Sequence, residues 1–254
     1  MRVWRAELSK LVSLPSVWVA VAVGLLIPSI IAGITASAAR TAIARGREAA
    51  AGIDTGYQEL AFGVIGVIIL GVVAISSEYF TESEDSGGGR QITTTLTAVP
   101  SRLRLLLAKA SAVAAASAAL SVGAAIVTMT VVQSMLGEYA PALSGQDIPR
   151  LLGVVCYWAL TALLSFGITV LVRHGILPLA VLIANTSVVS VTYLLTRLTP
   201  LANYLPDMAG IRMFIRDLQD SSADIAPLVG GLVMAAWTAA LLAVAAFVFC
   251  RRDA

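Results

Sequence analysis

Six stretches of the chain run for about 20 residues with no charge near the centre, and the segments between them are shorter or visibly polar. They fall at about residues 17–37, 60–77, 110–132, 151–172, 177–195 and 228–250. A helix needs about 20 apolar residues to cross a hydrocarbon core of roughly 30 Å. Each run therefore predicts one membrane-spanning helix. Strands of an outer-membrane barrel would alternate in segments of about 10 residues, half the length seen here. The pattern predicts an all-α polytopic membrane protein with six spans in a single transmembrane domain, 1–254.

The polar intervals carry their own periodicities. In residues 2–14, Trp4, Leu8, Leu11 and Val12 share one side of a helical wheel, with Arg5 and Ser9 opposite and Glu7 and Lys10 flanking. That predicts a short amphipathic helix in the headgroup layer, broken from the first span at Pro15. The basic start, the apolar run and Ala36-Ser37-Ala38 also fit a cleaved leader, but a leader's apolar core is about 7–15 residues and this run is longer. In the interval 196–227, Ile211, Phe214, Ile215 and Leu218 recur at i, i+3, i+4 and i+7 after a turn at Pro206-Asp207. This predicts a short outer helix before the last span. No internal repeat relates the two three-span halves.

Composition agrees with a membrane protein. The 254 residues are 58% hydrophobic and only 13% charged, with a mean hydropathy of +0.89. A soluble domain carries about 25% charged residues. The formal net charge of +2 gives no reason to expect a nucleic-acid partner. With six spans both termini share one side. That side holds Arg2, Arg5, Lys10, Arg90, Arg102, Arg104, Lys109, Arg173, Arg251 and Arg252, against Arg40, Arg45, Arg47, Arg150, Arg197, Arg212 and Arg216 on the other. The excess of basic residues predicts that both termini are cytoplasmic.

Little in the chain points to catalysis. The single histidine, His174, sits in a tight turn beside Arg173. No His, Asp or Glu pair has metal-ligand spacing on a predicted helix. Ser117, Ser121 and Ser165 lie within spans without a base at helical spacing and read as packing residues. Cys156 and Cys250 are isolated. No catalytic, cofactor or metal residue is assigned. The spans also lack the ionisable groups of a proton relay. A sodium site built from backbone carbonyls at a broken helix stays open, with Asn185, Thr186, Thr169 and Thr238 the most polar groups available. Gly87-Gly88-Gly89-Arg90 lacks the Lys-Ser or Lys-Thr of a phosphate loop, so the chain has no nucleotide module of its own.

The interval 78–109 is the longest on the side assigned to the cytoplasm. It begins at Glu78-Tyr79, passes through an acidic run and three glycines, and continues Arg90-Gln91-Ile92-Thr93-Thr94-Thr95-Leu96-Thr97-Ala98-Val99-Pro100-Ser101-Arg102, then Arg104 and Lys109. The glycines predict an interruption after the second span, and residues 90–98 a separate short helix stopped by Pro100. This interval resembles the membrane subunit of bacterial ABC-type exporters, in which a Glu-Tyr ends the second span and a Thr/Leu-rich helix leads through Pro and Arg into the third. Leu205-Pro206 and Ala209-Gly210 are similar to actinobacterial members. The acidic run and triple glycine depart from the family, which often has fewer residues there.

The resemblance implies a bacterial plasma-membrane exporter that pairs with a second permease subunit, identical or not, and with two copies of a separate ATPase that hold ATP and Mg. It further implies that the interval 78–109 is the coupling loop, with Glu78 among the coupling residues, Arg90, Arg102 and Arg104 in polar contact with the ATPase, and Ile92 and Leu96 in its groove. Two other functions fit the same six runs: a membrane anchor or scaffold for a cytoplasmic partner, and a sodium-coupled carrier.

Overall fold

The computed structural model describes residues 2–46, 52–79, 101–141, 145–187, 191–217 and 225–251. The described residues form ten α-helices and short 3-10 turns, with no strand among them. The helices are α1 (Arg2–Ser13), α2 (Pro15–Ala44), α3 (Tyr57–Phe62), α4 (Val64–Tyr79), α5 (Arg102–Leu136), α6 (Ile148–Val172), α7 (Ile176–Ser187), α8 (Val191–Leu198), α9 (Pro206–Ile211) and α10 (Pro227–Arg251).

Five helical stretches are long and apolar enough to cross a membrane: α2, α3 with α4, α5, α6 and α10. The fifth apolar run forms two helices, α7 and α8, inclined by 56°. This pair still joins the two ends of the bundle. Gly175, just before α7, lies against Ser76 and Val72 near the end of α4. Beyond α8, Met213 packs on Gly153 near the start of α6, and the backbone N–H groups of Arg216 and Asp217 reach Asp54. Counted as one bent crossing, the pair makes a sixth span.

Beside a core that includes Trp158, Phe166 and Leu60, small residues are buried at helix contacts while many large aliphatic ones face outward. Ala20, Ala32, Ala36, Ala112, Ala124, Ala162 and Ala245 are completely or almost completely enclosed, whereas Leu26, Ile30, Ile34, Ile126, Leu232 and Phe247 are more than half exposed. Without a hydrophobic drive between helices in lipid, small residues at the contacts and large aliphatic ones facing outward are what packing favours. α4 is the most enclosed span and packs on both α2 and α6. The approach is close because Gly66 lies on Ala20 and Gly24 of α2, and Gly71 on the Ala162 carbonyl of α6. In α5, Ala112, Val113 and Ser117 face inward, while Ser111 and Ala115 on the same all-small run face outward.

Three details differ from the sequence expectation. α1 turns Glu7 and Leu11 inward, while Trp4 and Val12 are exposed, so its buried face is partly ionic. Glu7 is drawn in by a lysine of α5, which overrides the apolar arc. Secondly, the short helix ahead of the last span covers Pro206–Ile211, and the chain then turns and is irregular over 215–217. Phe214 and Ile215 are buried as their pattern suggests. However, the Phe214 carbonyl accepts from Arg150, and the Arg216 and Asp217 N–H groups donate to Asp54. Those partners replace helical hydrogen bonds; Leu218 lies outside the described residues. Thirdly, Arg102, Arg104 and Lys109 belong to α5 and not to the loop before it.

Candidate functional site

Helices α1, α4 and α5 meet at one end of the bundle, and four charged side chains cluster there. Lys109 of α5 donates to Oε2 of Glu7 at 2.6 Å and to Oε1 of Glu78 at 2.9 Å. Lys10, one turn beyond Glu7, also donates to Oε1 of Glu78. Glu78, Glu7 and Lys109 are 1%, 6% and 6% exposed, so water cannot screen them. Among the described residues, two ammonium groups face two carboxylates. Leu11, Leu14 and Ala74 close its apolar side and leave about 10 Å³ beside it, room for a single water.

Local structure explains how these groups are delivered. Glu7 and Lys10 are three apart on α1 and so project from the same face. Glu78 sits in the last turn of α4, and Lys109 lies two turns into α5. Ser101 caps α5, its hydroxyl accepting from the Arg104 N–H. The cluster thus ties the helix entering the 80–100 segment to the helix leaving it, and both to the N-terminal helix. Arg102 adds a fourth element by donating to the Phe249 carbonyl of α10 at 3.4 Å. Arg173, which ends α6 in a left-handed conformation, lies over the Tyr79 ring.

Of the six residues assigned to ATPase coupling, Glu78 is enclosed in this cluster, Arg102 is half-buried against α10 and Arg104 is exposed. Arg90, Ile92 and Leu96 lie outside the described residues, as does the expected helix over 90–98. Sequence reasoning placed Glu7, Lys10 and Lys109 individually but not as one group. A signal was available: these are the only two lysines in the chain, and a lysine with a flexible stem reaches two carboxylates as a point charge.

A second ionic cluster holds the opposite end together. Arg150 at the start of α6 donates to the Phe214 carbonyl at 2.9 Å, to the Ile53 carbonyl at 2.8 Å and to Asp54, and stacks on Tyr57 3.7 Å from the ring centre. Tyr57 in turn donates to Asp147 at 3.2 Å. Nothing in the spacing of Asp54 and Arg150 announced this pair. A third polar contact spans the bent helices: Asn185 of α7 and Thr192 of α8 both donate to Oδ2 of Asp207. The in-span hydroxyls of Ser117, Ser121, Ser165, Thr169 and Thr238 turn back on their own helices, to the carbonyls of Ala114, Ala118, Thr161, Ser165 and Met234. His174 accepts from the Ile176 N–H within its turn.

The chain matches no known protein-family model, and no curated protein matches it.

Proposed function

We propose that this chain is the membrane subunit of an ATP-driven exporter of the bacterial plasma membrane, working as a homo- or heterodimer with two copies of a separate ATPase. In this reading both termini are cytoplasmic, α1 rests in the cytoplasmic headgroup layer, and the 78–109 interval seats the ATPase. The single observation that carries the reading is Lys109 standing between Glu7 and Glu78. It locks together the helices on both sides of the segment that resembles a coupling element.

A push on that segment then acts on α1, α4 and α5 as a unit, because each ion pair resists separation of enclosed charges. That is the behaviour required of an element whose two positions are biased by nucleotide at a distant site. Arg90 and Arg104 supply polar contacts to the ATPase, and Ile92 and Leu96 fill its groove. Glu78 acts through the cluster and not by touching the partner. Nucleotide, Mg and the hydrolytic step belong to the partner chain.

The experiment is co-purification from native membranes, followed by nucleotide hydrolysis. An Ile92→Asp/Leu96→Asp double variant is expected to insert normally and lose the ATPase. Undiminished co-purification would move the docking surface elsewhere, and no associated ATPase in several detergents would overturn the proposal. One observation favours the sodium-coupled alternative: the 56° bend between α7 and α8, with Asn185 and Thr192 converging on Asp207. Broken helices with polar groups at the break are how carriers coordinate sodium. Transport that survives loss of nucleotide hydrolysis but stops on sodium removal would select that reading.

A further inference from the structure

At the end of the bundle opposite the lysine cluster, a groove of about 690 Å³ opens between α6, α10 and the 212–216 segment. That is within the roughly 300–1,000 Å³ of ordinary ligand sites. Its long wall is apolar, formed by Leu152, Cys156, Leu160, Met213, Leu232 and Ala235. Its mouth is not. Arg150, Arg212 and Arg216 all line it, and no carboxylate is among its described lining residues.

The three arginines are not equivalent. Arg150 is enclosed and committed to Asp54 and two carbonyls, and Arg212 is buried with a hydrogen bond to Asn203. Arg216 is exposed, and its guanidinium makes no hydrogen bond or ion pair with a described residue. Its backbone is nevertheless fixed, because its N–H is held by Asp54. α6 and α10 both begin at this mouth, with Pro149 and Pro227 in the lining. Asp147 is the N-cap of α6 and lies 3.8 Å from Arg150, so it offsets the dipole there. α10 has no acidic residue in its first turn, and its N-terminal dipole adds positive potential to that of Arg216. Asp217, which follows Arg216, is the exposed carboxylate nearest in sequence and tempers this field without lining the groove.

An apolar trough with one uncommitted cation at its mouth matches an amphiphile that is negative at one end. We propose that this groove seats an acyl chain of an anionic phospholipid, with Arg216 meeting the headgroup phosphate. A zwitterionic lipid offers the same chain but a headgroup whose positive end opposes the arginine and the α10 N-terminus. The inference goes beyond the exporter reading and does not rest on it, since it concerns the face of one subunit remote from the coupling segment.

The test is native mass spectrometry of the full-length chain in detergent, titrated with phosphatidylglycerol or with phosphatidylcholine of identical chains. Phosphatidylglycerol is expected to bind about fivefold tighter, the effect of one arginine beside an anionic headgroup. Arg216→Gln is expected to erase that preference, and Ala235→Phe, which fills the trough, to remove one tightly held lipid of either kind. Arg45→Gln, an exposed arginine at the same end whose position does not line the groove, is expected to change neither. Equal affinity for the two lipids would overturn the proposal. So would a preference that survives Arg216→Gln, a lipid count unaltered by Ala235→Phe, or an equal loss in Arg45→Gln.

Discussion

Lys109 is the residue whose loss exposes the most about this molecule. Replacing it with Met removes the ammonium that Glu7 accepts from and one of the ammonium partners of Glu78. Breaking an enclosed ion pair from one side costs about 3–5 kcal/mol. Lys109→Met is therefore expected to lower stability to detergent-titrated unfolding by that amount, whereas a Glu7→Gln/Glu78→Gln/Lys109→Met triple variant recovers most of it. A triple variant no better than the single one would show that packing at this site, not charge, is what holds the helices. Arg150 differs in kind, because its fork reaches three acceptors in different directions. Lysine cannot reproduce that geometry, so Arg150→Lys is expected to cost about 1–3 kcal/mol through the acceptors left unpaired, and a neutral outcome in the same unfolding assay would argue against the fork. The pairings within the two clusters were not legible beforehand. Glu7 and Glu78 lie 102 and 31 residues from Lys109, and Asp54 lies 96 from Arg150. Such pairs are fixed by the packing of helices and leave no periodicity in the chain.

Among the helices, legibility followed the constraint imposed by the solvent. A hydrocarbon layer demands length and bars charge, so the apolar runs announced helices directly. The 206–217 region was misplaced because its hydrophobic spacing fits a helix, while the backbone partners that unwind it come from Asp54 and Arg150. Helix contacts were legible only as a tendency of small residues to pack, and the glycines separate into two kinds. A Cβ at Gly66 would fall 2.5 Å from the Ala20 carbonyl oxygen and 2.7 Å from the Gly24 nitrogen, both backbone atoms. At Gly123 the nearest atom would be a Leu25 methyl at 3.6 Å, an ordinary contact. Gly66→Ala is thus expected to force α2 and α4 apart at a cost of about 1–3 kcal/mol. Gly123→Ala should be neutral or mildly stabilising through helix propensity. Thermal unfolding of the two variants side by side checks the contrast, and equal melting points would refute the close approach of α2 to α4.

For the whole molecule the decisive question is the parity of its crossings. Five long helices alone would put the two termini in different compartments, and the bent α7–α8 pair decides the matter. Glu7 and Lys10 reach Glu78, and Arg102 reaches Phe249, so the helices at both ends of the described chain meet at one end of the bundle. A sixth crossing made by the bent α7–α8 pair accords with that arrangement. The expected outcome is that a reporter able to fold only in the cytoplasm gives signal when fused at either terminus, and none when inserted near Gly52, on the far side with Asp54 and Arg150. The side itself rests on a narrow basic excess, ten positions against seven. Two of the seven, Arg150 and Arg212, are buried in polar contacts that any orientation would keep. If the termini report from different compartments, α7 and α8 form a re-entrant pair and the contacts at the lysine cluster need another explanation. If both report from outside, the 80–100 segment faces away from cellular ATP, and coupling to a cytoplasmic ATPase is physically closed to it.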